Sequence, residues 1–303
     1  MLLSALPDRR AAAAPQASAV ADGSIDLSNS EFLAAVRRAA TSLRAAGVSA
    51  GDVVAVALPD TATLVVSMFA AWRLGATVTL VDPLATAADI GFQQFDAGAK
   101  VLIAAQPLVR APSAQAVIPA DELTVAGTDI IATQPSDNAP ALITHTGKGE
   151  SMLLDHGNLD ALSRFVVEVF ALTDTDHNLV AMSSSRINGI VVGILSPLLA
   201  GGGVTMAGPN SPRMVFDQIQ HGRATYFSAE PAMYTALSAL PGRARPEISS
   251  VRFAICCETR AGDELRTTFE HRYGIPIING YGLKEVYERA HSACSSALAP
   301  RAS

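Results

Sequence analysis

The sequence predicts an α/β fold in which a largely parallel sheet is covered by helices on both faces. Three observations predict it. From Ser30 onward, segments with helical spacing alternate with β-branched apolar runs, the order expected of βαβ units. The run at residues 53–58 is continuously apolar, as in strands buried on both sides. Apolar residues fill 49% of the 303 positions, enough for one large or two closely joined domains.

The first helix is read from Phe32, Val36, Ala39 or Ala40, Leu43 and Ala46, which recur at three and four residues; Asn29 or Ser30 is expected to cap it and Gly47 to end it. Residues 53–58 form a strand, Pro59 and Asp60 a turn, residues 61–74 an apolar helix stopped by Gly75, and residues 76–81 the next strand. A short helix at 86–96 and a strand at 100–104 repeat the alternation. Residues 106–138 are irregular and proline-containing, and read as a linker or a decoration of the first lobe. Beyond Pro140, strands are expected at 141–144, 178–182, 204–207, 224–228, 251–256 and 275–278, with helices at 158–172, 188–199, 212–221, 230–240 and 261–272. No fixed-period repeat is present, which excludes a solenoid.

These elements divide the chain into a loose Ala-rich arm over 1–24, a first α/β subdomain over 25–138, a second over 139–285 that carries the cleft, and a tail over 286–303. A net charge of −6 without any long Lys/Arg cluster argues against nucleic acid as partner. Cys256, Cys257 and Cys294 are too few for a disulfide framework and lack zinc-ligand spacing, so a cytoplasmic setting is expected. Met1 to Ser24 lacks the uninterrupted apolar run of a signal peptide or membrane span. No GxGxxG follows the first strand, which disfavours an NAD-linked oxidoreductase. Fold class alone fixes no function, so the site must carry it.

Four stretches bear on the site. Residues 43–83 (LRAAGVSAGDVVAVALPDTATLVVSMFAAWRLGATVTLVDP) place Gly-Asp before a strand and Leu-Gly-Ala after a helix. Residues 140–159 (PALITHTGKGESMLLDHGNL) hold a short Thr/Gly/Lys loop, and residues 186–202 read RINGIVVGILSPLLAGG. Residues 252–285 end in NGYGLKE, directly after a strand. Together these resemble the AMP-forming acyl-CoA synthetase and adenylation-domain superfamily, whose signatures are written YTSGTTGxPKG for the phosphate loop and xGYGxTE for the nucleotide-contacting turn.

The resemblance implies the large N-terminal domain of the adenylate-forming fold, with mostly parallel sheets sandwiched by helices in two subdomains. It also implies that the small C-terminal domain is absent. The ribose-binding aspartate, the hinge and the C-terminal lysine of the family would lie beyond Ser303. In that chemistry an acid oxygen attacks the α-phosphorus of ATP and pyrophosphate leaves, so the site must gather negative charge with amides, hydroxyls, a lysine and Mg²⁺. Thr144, Thr146, Gly147, Lys148 and Gly149 occupy the place of the phosphate loop. The loop is shorter than the pattern, and Glu150 stands among the donors, where a carboxylate repels phosphate unless a metal intervenes. It reads either as a site for a smaller anion or as a surface turn.

Glu285 stands where the family holds Mg²⁺, and Cys257, Glu258, Asn279, Gly280, Tyr281 and Gly282 where it holds the adenine. Tyr281 either stacks on adenine or is core. The adjacent Cys256 and Cys257 point to opposite sides of a strand, so they are read as small buried residues rather than a metal pair. Leu283 and Lys284 replace a small residue and the usual Thr; Lys284 pairs with phosphate, pairs with Glu285, or is a solvated loop lysine. Arg186 stands in place of a His that orients the acid, and either grips a carboxylate in bidentate fashion or forms an ion pair. His156 is read as a capping or hydrogen-bonding residue.

The function implied is a truncated acyl-adenylating, acid–CoA ligase-like protein that takes ATP or AMP, Mg²⁺, a small carboxylic acid or acyl ligand, and CoA as acceptor. Its activity would be weak or dependent on a C-terminal-domain partner protein. The alternatives are a non-catalytic relative that binds an acid, an acyl ligand or a protein, and a repurposed fold with other chemistry in the acid pocket. An apolar face left open by a missing domain would favour a homodimer.

Overall fold

The computed structural model describes residues 3–105, 116–123, 130–145, 151–208, 211–241, 247–256 and 260–280. Its strands are β1 (Ser18–Ala21), β2 (Asp26–Ser28), β3 (Val53–Ala57), β4 (Thr77–Leu80), β5 (Ala99–Ala104), β6 (Ala116–Pro119), β7 (Pro140–His145), β8 (Ser151–Asp155), β9 (His177–Ala181), β10 (Gly203–Met206), β11 (Tyr226–Ala229), β12 (Phe253–Cys256) and β13 (Ile277–Asn279). The helices are α1 (Leu6–Ala13), α2 (Asn29–Ala45), α3 (Ala62–Arg73), α4 (Ala87–Asp96), α5 (His156–Val169), α6 (Ser196–Ala200), α7 (Pro212–Gly222), α8 (Pro231–Ser238) and α9 (Asp263–Tyr273).

The strands form two sheets, ordered β13-β12-β11-β9-β10-β1-β2 and β6-β5-β3-β4-β7-β8. All neighbours within them are parallel except the edge pairs β1–β2 and β7–β8. Side-chain alternation then decides the layering, because successive residues of a strand face opposite sides. Val54 and Val56, with Val180, Tyr226 and Ile255 from the other sheet, share one core with α2, α3 and α5. Ala55, Ala57 and Leu102 pack outward on α4. Leu179, Phe227 and Cys256 pack outward on α7, α8 and α9. The result is five layers, with helices between the sheets and outside both.

Helix α3 shows what the middle layer demands. From Leu64 to Arg73 every side chain is buried, because a helix between two sheets has no solvent face. Its last turn carries two polar side chains that need partners. Trp72 Nε1 donates to the Ala141 carbonyl at 2.8 Å, and Arg73 grips Asp8 of α1 with both terminal nitrogens, at 2.6 and 3.1 Å. Gly75 follows with φ of +76°, a left-handed conformation open to glycine.

Three expectations are corrected. Residues 1–24 do not form a loose arm across their length: Leu3, Leu6 and Arg10 are buried, and β1 is inserted between β10 and β2. Arg10 is the physical reason, since its guanidinium donates to the Ser18, Leu198 and Gly202 carbonyls and to Asn29 Oδ1. Helix α2 is capped by Ser28, not Asn29 or Ser30, in a reciprocal capping box with Glu31. The division at 138/139 does not follow the sheets, because β7 and β8 complete the sheet of β3–β6 while β1 and β2 join the other. The tail at 286–303 lies outside the described residues.

Candidate functional site

In open parallel sheets, ligands sit outside the carboxyl ends of the strands, where the strand order reverses. The six-stranded sheet reverses at β3, which has β4 on one side and β5 on the other. The seven-stranded sheet reverses at β9, flanked by β10 and β11. Both reversals open onto one cavity of about 560 Å³. Its lining takes Asp60 from beyond β3, Asp82 from beyond β4, Ala105 from beyond β5, Ser183 from beyond β9, Gly208 from beyond β10 and Glu230 from beyond β11.

The two sheets are laced together at this end by carboxylates. Asp60, after β3, accepts the Ser184 backbone N–H at 2.9 Å. In the opposite sense Asp22, after β1, accepts the Ala62 N–H at 2.9 Å and so serves the first turn of α3. Burial holds the Asp60 carboxyl above its ordinary value; the Ser184 N–H opposes the shift, and the Asp82 and Glu230 carboxylates add to it.

Beyond Ser183 the chain must fold back sharply. Gly189 permits this, because a Cβ there would lie 2.3 Å from the Ser183 carbonyl oxygen and 2.8 Å from Ser184 Cα. A regular α-helix was expected over 188–199, yet Gly189–Leu195 winds as a π-helix before α6. Wider winding shifts carbonyls off their usual donors. Side chains answer it here: Asn178 Nδ2 donates to the Gly193 carbonyl at 2.9 Å and Ser196 Oγ to that of Val191 at 2.6 Å.

Arg186 lies exposed on the turn between β9 and this helix. Thr144 is buried on β7, opposite Met152 of β8. Asn279 ends β13 with both polar atoms engaged: Oδ1 accepts the Ala261 N–H at 2.9 Å and Nδ2 donates to the Ala261 carbonyl at 3.3 Å. The Gly280 N–H donates to the Cys256 carbonyl at 2.8 Å. Thr146, Gly147, Lys148, Gly149, Cys257, Glu258, Tyr281, Gly282, Lys284 and Glu285 lie outside the described residues. So does the cleft expected between the Gly147 and Tyr281 turns. Their strands share one direction with the cavity: β7 runs parallel to β4, β12 to β11, and β13 to β12. The segments at 146–150, 257–259 and 281–285 therefore each follow a carboxyl strand end.

Cys256 is buried, and burial pushes its thiol up to about 11, as suits a packing residue. His156 is 2% exposed and meets Trp72 edge-on, with ring centroids 5.8 Å apart. Burial brings its imidazole down to about 4, so it is neutral near pH 7. The cap of α5 is Asp155, which exchanges hydrogen bonds with Asn158, not His156.

Sequence reasoning missed Asp60, Asp82 and Glu230 as site residues. The signal was present: each is an acidic residue beside a proline just after an apolar run, as Pro59-Asp60, Asp82-Pro83 and Glu230-Pro231. Among the described residues, no group of three or more His, Cys, Asp or Glu could hold a metal ion. No described helix is long and apolar enough to cross a membrane.

A family model described as AMP-binding enzyme matches residues 7–287. Feruloyl-CoA synthase of Amycolatopsis sp is 29% identical over 96% of this chain and 62% of its own length. Oxalate–CoA ligase of Arabidopsis thaliana is 25% identical over 92% of this chain and 58% of its own length. The chain thus spans about three fifths of these relatives. Among solved structures, the anthranilate CoA ligase AuaEII in complex with anthranoyl-AMP superposes with a TM-score of 0.87 at 20% identity, covering 94% of this chain and 59% of that one. The N-terminal domain of FACL13 from Mycobacterium tuberculosis superposes with a TM-score of 0.86 at 19% identity, covering 95% and 77%.

Proposed function

This chain belongs to the AMP-binding enzyme family, and on that premise we propose that it activates a carboxylic acid through an acyl-adenylate, with CoA as the acceptor. The observation that carries the reading is the shared direction of the parallel strand ends. Each stretch assigned to phosphate, adenine or acid follows the carboxyl end of β7, β9, β12 or β13, the face on which such sheets take ligands. The carboxylate oxygen would attack the α-phosphorus, forming the acyl–phosphate bond as pyrophosphate departs.

In this reading Thr144, Thr146, Gly147, Lys148 and Gly149 hold the phosphates, and Lys284 adds a charge beside them. Cys257, Glu258, Gly280, Tyr281 and Gly282 hold the adenine. Asn279 shapes that wall from behind, since its amide is fastened to Ala261. Arg186 grips the acid, its planar guanidinium matching a carboxylate. Glu285 is the hard oxygen ligand that Mg²⁺ favours; when bound, the ion would neutralise charge on the departing pyrophosphate.

Feruloyl-CoA synthase and oxalate–CoA ligase are named for an aromatic and a dicarboxylic acid, which sets the substrates to try. The test is pyrophosphate release and hydroxamate trapping over a panel of aromatic and dicarboxylic acids, with and without a relative's C-terminal domain added as a separate chain. Acid-dependent turnover abolished by Glu285→Ala is expected. A second reading, binding without turnover, is favoured by Arg186 in place of His and by Leu283 and Lys284 in the nucleotide turn. Thermal stabilisation by ATP and Mg²⁺ with no turnover across the panel would select it. Absence of both would reject nucleotide use altogether.

A further inference from the structure

We propose that the cavity between the two sheets binds an apolar molecule ending in an ammonium group, such as an aryl-alkyl amine. Its volume of about 560 Å³ falls within the range of about 300–1,000 Å³ typical of small-molecule pockets. Its walls are apolar, with Leu58, Leu64 and Leu80 on one side and Met182 and Met233 on the other. The charged side chains among its described lining residues are all carboxylates: Asp60, Asp82 and Glu230. None of the described residues assigned above to the acid or the phosphates lines this cavity; within it a carboxylate or phosphate would be repelled, whereas an ammonium would be attracted.

One further fact favours an organic cation over a metal ion, and a second favours a cation in this cavity at all. The three acids do not gather into a set that could hold a metal; they are spread around an apolar volume that a metal ion would leave unfilled. Asp60 is only partly compensated within the fold. Burial and the neighbouring carboxylates disfavour its charge more than hydrogen bonding from Ser184 favours it. A cation in the cavity relieves this repulsion.

The inference does not depend on nucleotide binding, so its test omits ATP. Phenylbutylamine, phenylbutanol and phenylbutanoate share one apolar body and differ in head-group charge; each is titrated calorimetrically into the full chain. The amine is expected to bind about ten-fold tighter than the carboxylate, with the alcohol between them. Glu230→Gln and Asp82→Asn are then titrated. Glu230 makes no side-chain cap to α8, and Asn at position 82 can still accept the Leu84 N–H that Asp82 holds at 2.9 Å, so both variants are expected to fold. At least one is expected to weaken the amine about five-fold without affecting the alcohol. Amine binding no tighter than carboxylate binding, undetectable amine binding, or amine affinity unchanged in both variants would each overturn the proposal.

Discussion

Replacing His156 by Phe should flatten the acid limb of the stability profile. The imidazole is buried, lies edge-on to Trp72, and has an Nδ1 with no hydrogen-bond partner. A phenyl ring can keep the aromatic contact without burying an unpaired ring nitrogen. Burial lowers the imidazole from 6.5 to about 4, with Asp155 and Asp137 opposing the shift. The folded value lies below the unfolded one. The neutral ring's contribution is therefore complete above pH 6.5 and is lost as the pH falls toward 4. Linkage between those two values gives a loss of about 2.5 kcal/mol between pH 7.5 and pH 4.5. Urea unfolding at several pH values, followed by tryptophan fluorescence, measures it; carboxylates titrating in both proteins cancel in the comparison. The native chain should lose about 2.5 kcal/mol more than the variant over that interval. Parallel profiles for the two proteins would refute the reasoning, since they would mean that the imidazole protonates in place at little cost.

Two further substitutions probe the scaffold around the cavity. Gly189→Ala places a Cβ 2.3 Å from a backbone oxygen, an overlap that no rotamer relieves, so a loss of about 3 kcal/mol is expected; an unchanged melting temperature would mean that the Ser183–Ser184 turn yields. Asp8→Ala removes the bidentate partner of Arg73, whose side chain is 1% exposed. A buried guanidinium left without its counter-charge costs about 3 kcal/mol, and denaturant unfolding should find that loss partly recovered in the double variant Asp8→Ala with Arg73→Met, which leaves the Ile130 carbonyl without its Arg73 donor.

The family and most of the βα alternation were legible because they rest on local periodicity. Phe32, Val36 and Leu43 mark the buried stripe of α2 in the sequence, and they are buried in the structure. What was not legible depended on distant partners. Arg10 stands in the stretch that reads as a loose arm, and only the carbonyls of Leu198 and Gly202 reveal it as buried. Strand β1 has little pattern of its own; its neighbour is β10, far along the chain. The π-helix hides in an ordinary apolar run, because its cause is Asn178 on another strand and the close approach of Gly189 to Ser183. The cavity's acids each sit in a turn, and nothing local says that three turns from two sheets face one space.

The insertion of β1 beside β10 sets an order of events during synthesis. Residues 53–155 contain every strand of the six-stranded sheet, so that half can assemble while the ribosome is still translating. The amino-terminal segment cannot complete its own contacts so early: Arg10 and its Leu198 carbonyl are 188 residues apart. Until then β1 presents an unpaired edge and Arg10 an unanswered charge. Nascent chains stalled between residues 155 and 198 should accordingly expose strand β1 to protease and to chaperones that read extended apolar peptide, and chains released past residue 206 should conceal it.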